Sequence, residues 1–225
     1  MKTNFTKMLA VTVMAFVVII ITSSKKAKAA FGDDVKVTEL SHVKHINKIT
    51  ITGNVEVYLT QGYAENLKVY DDYYAKNALV QWNNGELRIS SYNKEKLVIG
   101  ITVTNLNNIE ASGDVIIRTM NKLSGIDLNI SLAGDAKATL ETQVVNLNSV
   151  VTGTSSLELS GDAETQSMNI SGSARFNASK FTSENSSIVL SDNAHASFNQ
   201  DGKTTEVKTI ANTPAKSDIL TLDSE

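Results

Sequence analysis

IEASGDVII at residues 109–117 is the first of five related phrases in this chain. The others are ISLAGDAKA at 130–138, SVVTGTSSL at 149–157, MNISGSARF at 168–176 and IVLSDNAHA at 188–196. Their central residues are Gly113, Gly134, Gly153, Gly172 and Asp192, with steps of 21, 19, 19 and 20 residues. A steady period near twenty is typical of a solenoid, in which each repeat forms one rung that cannot bury its apolar face alone.

The five phrases also align in columns. Two and four residues before and after each centre the residues are mainly apolar or small, and the intervening positions are mostly polar. The column two residues before the centre contains Ala111, Leu132, Val151, Ile170 and Leu190. The column directly after the centre contains Asp114, Asp135, Thr154, Ser173 and Asn193. Alternation at period two predicts strands with one face in the core and the other in solvent.

We therefore predict an all-β fold, a right-handed parallel β-helix or solenoid with about 20 residues per rung. The handedness follows from the usual crossover preference of parallel strands. A sandwich of antiparallel hairpins is the alternative, but it would not keep the columns in phase. Each rung needs a corner with positive φ or without a side chain, which glycine satisfies and Asp tolerates. The predicted corners are Gly53, Gly113, Gly134, Gly153, Gly172 and Asp192.

The region before the five phrases is less regular. Alternation over residues 49–59 surrounds Gly53, which lies 60 residues, or three periods, before Gly113. This spacing predicts two intervening rungs, with strands at 67–70 and 79–82 for one and at 86–90 and 97–103 for the other. Atypical terminal repeats are expected at the end of a solenoid.

The chain ends predict export and a single domain. A basic start, an apolar run at 8–21 and Ala-Lys-Ala at 27–29 predict a signal peptide at 1–29, with an uncleaved signal anchor as the alternative. Residues 30–45 are a leader or first strand, 46–210 the solenoid, and 211–225 a C-terminal cap or disordered tail. Without residues 1–29, which hold five Lys and no acid, the chain has 16 basic and 24 acidic residues and a net charge of −8. An acidic exported chain disfavours nucleic acid as a partner. After signal removal no stable membrane span is expected, and the mature protein would lie in the periplasm, on the outer-membrane surface or outside the cell.

Several short phrases carry a family resemblance. They are ITGNVEVYLTQGYAENLKVY at 51–70, NNGELRIS at 83–90, ASGDVII at 111–117, LSGDAE at 159–164 and ISGSARF at 170–176. Together they resemble the auto-transporter adhesin, head GIN domain family of exported bacterial proteins over about residues 46–199. The resemblance implies a right-handed β-helix similar to the pectin-lyase type without its catalytic residues, and a role in cell adhesion or at the cell envelope. Asp192 departs from the family pattern, where Gly is expected.

No catalytic, metal or cofactor site is predicted. Asp114 and Asp135, one rung apart, are a candidate carboxyl dyad or weak Ca²⁺ site, but a solvated corner explains them better. The asparagines at 108, 129 and 148 predict cross-rung polar contacts that stabilise the coil, with ligand binding as the alternative. His42 and His45 lack further ligands, and His195 has no partners for a triad. There is no Cys.

Aromatic residues gather in the early rungs. Tyr58, Tyr63 and Trp82 lie there, together with the segment YDDYY at 70–74. Rings beside acids can hold sugars, although they can also cap the core. The candidate ligand-binding residues are Tyr70, Asp71, Asp72, Tyr73, Tyr74 and Trp82.

These features predict a non-catalytic exported protein that binds a glycan or an envelope or cell-surface protein through its surface. A homo-oligomer is compatible with the sequence. The alternatives are a polysaccharide lyase or hydrolase acting on the lateral face, and a purely structural module.

Overall fold

The computed structural model describes residues 37–40, 43–70, 78–199, 204–210 and 216–220. All regular secondary structure in these residues is β-strand, and the sixteen strands join one sheet. The all-β prediction is therefore confirmed. The first nine strands are β1 Val37–Leu40, β2 Lys48–Gly53, β3 Val55–Gln61, β4 Asn66–Tyr70, β5 Ala78–Asn83, β6 Glu86–Ser91, β7 Leu97–Val103, β8 Asn108–Ser112 and β9 Val115–Thr119. The others are β10 Leu123–Ala133, β11 Lys137–Val151, β12 Ser156–Ile170, β13 Arg175–Ser191, β14 His195–Asn199, β15 Thr204–Ile210 and β16 Lys216–Leu220.

The strands from β8 onward pair only in parallel. Leu132 lies opposite Val151, Val151 opposite Ile170, and Ile170 opposite Leu190. Each of these steps is 19 or 20 residues, the spacing of the repeated phrases. All twenty residues at two and four positions from the five centres are buried, so the predicted apolar columns form the core. This pairing differs from the antiparallel sandwich that was the alternative.

Each long strand also bends once in its middle. At Val145 and Asn146 in β11, and at Glu164 and Thr165 in β12, two successive side chains are at least partly exposed. The inward–outward alternation is thereby interrupted, and Val145 and Glu164 have no partner in the register between the two strands. These repeats thus bend at two places, at the glycine and in the middle of the long strand.

The corners turn with positive φ, at 72° for Gly134, 76° for Gly153 and 58° for Asp192. A Cβ on Gly134 would lie 3.0 Å from the backbone nitrogen of Gly113, and one on Gly153 would lie 2.9 Å from the carbonyl oxygen of Gly134. Gly134 and Gly153 are therefore required for two reasons. The backbone conformation favours glycine, and the neighbouring backbone leaves no space for a Cβ. Asp192 Oδ2 accepts a hydrogen bond of 3.0 Å from the Gly172 N–H.

The order of the early rungs differs from the prediction. Ile49 on β2 lies opposite Ile109 on β8, and Val55 on β3 lies opposite Val115 on β9, so the rungs of Gly53 and Gly113 are direct neighbours. The prediction of two rungs between them is therefore wrong. β6 pairs with the edge of β2 that faces away from β8, and β7 pairs with the edge of β3 that faces away from β9. The reason is that part of the 60-residue interval forms β4 and β5, which pair antiparallel with β7 and β6 and make no rung.

The described parts of the termini also join the sheet. β1 pairs antiparallel with β4, and β16 pairs in parallel with β14. The segment predicted as a cap or disordered tail therefore contributes a strand at Lys216–Leu220. Residues 1–36, 41–42, 211–215 and 221–225 lie outside the described residues, and so does the predicted signal peptide.

Replacing Gly134 with Ala tests the corner. We expect Gly134→Ala to lower the free energy of unfolding by about 2 kcal/mol, since a left-handed conformation costs a side-chain residue about 1–2 kcal/mol and the added Cβ meets backbone. Urea unfolding followed by circular dichroism measures this. Gly125→Ala is the control, because a Cβ there would meet only Asn105 Oδ1, at 3.7 Å. Equal losses in the two variants would contradict the requirement for glycine at the corner.

Candidate functional site

The outer face of the early rungs carries a groove of about 400 Å³. We call it the tyrosine groove. Its lining residues are Tyr58, Thr60, Asn66, Lys68, Tyr70, Gly100, Ile101, Thr102 and Met120. These residues come from β3, β4 and β7, except Met120, which directly follows β9.

Strand order brings these residues together. β9, β3, β7 and β4 lie side by side, and the register places Arg118 opposite Tyr58, Tyr58 opposite Gly100, and Gly100 opposite Lys68. Residues opposite each other on paired strands point to the same face of a sheet. Because Val57 and Leu59 are fully buried on the other face, Tyr58 is directed outward.

The ring of Tyr70 reaches the space above Gly100. A Cβ on Gly100 would lie 3.4 Å from Tyr70 Cε2, 3.6 Å from its hydroxyl oxygen and 4.0 Å from the Cβ of Lys68. The ring of Tyr70 therefore lies over Gly100, on the side of β7 away from Tyr58. Gly100 adds no side chain between the ring of Tyr70 and Tyr58 on the neighbouring strand.

Glu56 lies beside the groove and is held by its neighbours. The Tyr58 hydroxyl donates a hydrogen bond of 3.0 Å to Glu56 Oε1, and Arg118 Nε lies 3.5 Å from the same oxygen. Partial burial raises the pKa of the Tyr58 phenol, and the hydrogen bond to Glu56 raises it further. Tyr58 is thus a neutral hydrogen-bonding ring at physiological pH.

The two predicted ligand-binding residues that the structure describes, Tyr70 and Trp82, do not lie together. Tyr70 lies in the tyrosine groove, whereas Trp82 on β5 lies opposite the buried Leu87 and so faces the core side, where it is 39% exposed. Asp71, Asp72, Tyr73 and Tyr74 lie outside the described residues. Sequence reasoning left Tyr58 and Gly100 out of the candidate set. The period-two alternation of β3 predicts that Tyr58 points outward. Nothing in the sequence predicts that Gly100 lies beside it.

A second depression, of about 330 Å³, follows the second bend across β10 to β13. Its floor contains Gly125, Val144, Ala163 and Ser183, which lie in one register row. Asp162, Glu164 and Glu184 are its acids, and no aromatic ring lines it. Across the described residues, no group of three His, Asp or Glu side chains is placed to hold a metal ion.

The other candidates have local partners. Asp114 Oδ2 lies 3.1 Å from Lys96 Nζ, and Asp135 Oδ1 accepts a hydrogen bond from the Thr154 hydroxyl. His45 and His195 are exposed, while His42 lies outside the described residues.

The asparagine column forms a ladder on the surface. Asn129 donates to Asn108 Oδ1, and Asn148 donates to Asn129 Oδ1, each at 3.2 Å. The cross-rung contacts predicted for this column are therefore present.

The outer face of β2, β6 and β8 carries a row of paired charges. Lys48 Nζ lies 2.7 Å from Glu110 and 3.6 Å from Glu86, and Arg88 lies 2.8 Å from Glu86. The hydrogen bond from Arg88 holds the pKa of Glu86 below its usual value, and the hydrogen bond to Glu110 raises that of Lys48. Since these charges neutralise one another, the row stabilises the sheet.

Comparison with known proteins adds the family. The family model described as "Putative auto-transporter adhesin, head GIN domain" matches residues 45–213. The chain belongs to this family. None of the curated proteins matches this head GIN domain at a significant level.

Solved structures share its fold. A "putative adhesin" from Bacteroides fragilis NCTC 9343 is 19% identical with a TM-score of 0.65, covering 84% of this chain and 96% of that one. A "putative adhesin" from Parabacteroides merdae ATCC 43184 is 13% identical with a TM-score of 0.60, covering 82% and 95%. A "putative lipid binding protein" from Parabacteroides distasonis ATCC 8503 is 13% identical with a TM-score of 0.59, covering 84% and 97%. At these identities the likeness shows the fold alone.

The family membership confirms the resemblance drawn from the sequence. It is consistent with an exported or surface adhesin-type protein, and neither the family description nor these neighbours' names indicate an enzyme. No helix in the described parts of this head GIN domain is long and apolar enough to cross a membrane.

The charged row makes the stability of this domain depend on pH. A carboxylate whose pKa is lowered by folding stabilises the fold above its unfolded pKa of about 4.3, and this contribution is lost as pH falls through the folded value. We expect Glu86→Gln to cost about 1 kcal/mol of unfolding free energy at pH 7, and the difference from wild type to shrink as pH falls below about 4.3. Urea unfolding at pH 7 and pH 3 measures it. Exposed Glu158 has no ion pair within the described residues, so Glu158→Gln should change nothing at either pH. A Glu86→Gln deficit of the same size at pH 7 and pH 3 would contradict the electrostatic explanation.

Proposed function

We propose that this head GIN domain is a non-catalytic exported protein that binds carbohydrate through the tyrosine groove. The observation that carries the proposal is the pair of outward-directed tyrosines, Tyr58 and Tyr70, on either side of Gly100. Membership of an adhesin family agrees with a binding role at the cell envelope or cell surface.

The chemistry of the groove suits a sugar. The faces of a sugar ring carry C–H groups that pack on aromatic rings, and its edges carry hydroxyls that need hydrogen-bond partners. Tyr58 and Tyr70 offer the rings, and Thr60, Thr102 and Asn66 offer polar groups. The Asn66 amide nitrogen donates to Glu39, and its carbonyl oxygen has no partner among the described residues. At about 400 Å³ the groove lies at the lower end of the usual range for ligand pockets, roughly 300–1,000 Å³.

Export completes this proposal. The basic start, apolar run and Ala-Lys-Ala of residues 1–29 support a signal peptide, which would place the groove in the periplasm, on the outer membrane or outside the cell. Envelope glycans and cell-surface proteins are the partners available there.

We also infer that the rungs form a right-handed β-helical coil. Parallel registers of 19 and 20 residues and the two bends of these repeats support it, together with the handedness preference of parallel crossovers. A crystal structure of the exported protein tests the closure and the hand of the coil.

Replacing Tyr70 tests the carbohydrate groove. We expect Tyr70→Ala to weaken binding about tenfold, since loss of stacking and burial of one ring costs on the order of 1–2 kcal/mol. Tyr70→Phe should bind almost as well, because the stacking surface remains. The measurement is titration calorimetry with soluble polysaccharides, using protein purified from cells that express the full chain.

Tyr92→Ala is the matched control, because Tyr92 is 82% exposed and does not line the groove. Binding only to envelope proteins or to lipid vesicles would overturn the proposal. Equal binding by Tyr70→Ala and wild type would also overturn it.

A further inference from the structure

We propose that the tyrosine groove selects anionic glycans, chains whose sugars carry carboxylate or sulfate groups, and that Lys68 is the residue that determines this specificity. The inference rests on the carbohydrate-binding function proposed above and adds the class of carbohydrate. It comes from the distribution of charge around the groove.

Lys68 is the only charged residue among the nine that line the groove. It lies on β4 opposite Gly100, which adds no side chain of its own between Lys68 and Tyr58. The Tyr70 ring and the Lys68 Cβ both approach the space above Gly100. A sugar packed on the rings would therefore have the ammonium group at its edge.

Nearby carboxylates are engaged elsewhere. Glu39, opposite Lys68 on β1, accepts a hydrogen bond from Asn66. Glu56 is held by Tyr58 and Arg118. Within the described residues no carboxylate oxygen lies within 4.0 Å of the Lys68 ammonium. The Lys68 charge has no ion-pair partner there, and a carboxylate or sulfate on a ligand would supply one.

Arg118 extends the same row. It lies opposite Tyr58, so the order across the sheet is Arg118, Tyr58, Gly100 and Lys68. At about 4.8 Å per strand, the two cations are roughly 14 Å apart across the face. Because Arg118 already pairs with Glu56, the cation that an anionic group of a ligand would meet is Lys68, at one end of the aromatic surface.

The net charge makes this attraction local. The whole chain has a formal net charge of −3, so it does not attract polyanions in general. An anionic membrane is also a poorer fit, because surface recognition of acidic lipids usually needs clusters of about four to eight basic residues. A concave aromatic groove whose lysine has no ion-pair partner among the described residues fits an anionic sugar better.

The test compares charged and neutral forms of one polymer. Polygalacturonate and its carboxyl-reduced form probe carboxylate, and dextran sulfate and dextran probe sulfate. We expect wild type to bind at least one anionic form about tenfold more tightly than its neutral counterpart in low salt, and the preference to shrink as salt rises. Lys68→Met should abolish the preference, and Lys68→Arg should retain it. Lys180→Met, at an exposed site on β13, is the control.

The outcomes separate the two proposals. If charged and neutral forms bind equally, or Lys68→Met keeps the preference, the inference falls. Carbohydrate binding still stands in that case if Tyr70→Ala weakens both forms. If no carbohydrate binds, both proposals fall. Lys68-dependent binding to vesicles containing phosphatidylglycerol, with none to the polysaccharides, would assign the groove to anionic lipid and overturn the inference.

Discussion

The stacking of each glycine corner on the one before it is the constraint on which the rest of the structure depends. Parallel pairing holds neighbouring rungs about 4.8 Å apart. At that spacing the Thr154 N–H reaches the carbonyl of Gly134 at 2.9 Å, and the Ser173 N–H reaches that of Gly153 at 2.8 Å. These bonds fill the space that a side chain at the corner would need. Because every corner is fixed on its predecessor, the residues before and after it lie in register from rung to rung and the core forms as columns.

This dependence explains how much of the fold could be predicted from sequence. Between residues 109 and 198 each corner fixes the phase of its rung, so the columns are visible in one sequence and their burial follows. The early region lacks that property. The strand β4 alternates like any rung strand, and alternation does not distinguish a parallel partner from an antiparallel one. An interval of three periods therefore predicted two rungs, where the chain forms one rung and two antiparallel strands.

The candidate site was less predictable for the same reason. Tyr58, Tyr70 and Gly100 are far apart in sequence and meet only because β7 lies between β3 and β4. Aromatic density alone indicated Tyr70, but it also included Trp82, which faces the core side. In the sequence ALVQWN of β5, Leu79 and Val80 are both apolar, so the pattern does not show which face is buried. Only the pairing of Trp82 with Leu87 settles its direction.

The tyrosine groove lies where the chain departs from the regular repeat. In the later repeats the outward positions are mostly polar, and neighbours such as Asn129 and Asn148 hydrogen-bond to each other. Such a surface stabilises itself and offers no large apolar area. β4 breaks the repeat by pairing antiparallel with β7, which places Lys68 opposite Gly100, with Tyr58 on the other side of that glycine. The irregular strand thus brings unlike side chains next to one another. The aromatic rings, the glycine and the charge on adjacent strands distinguish this surface from the mostly polar rows of the later repeats.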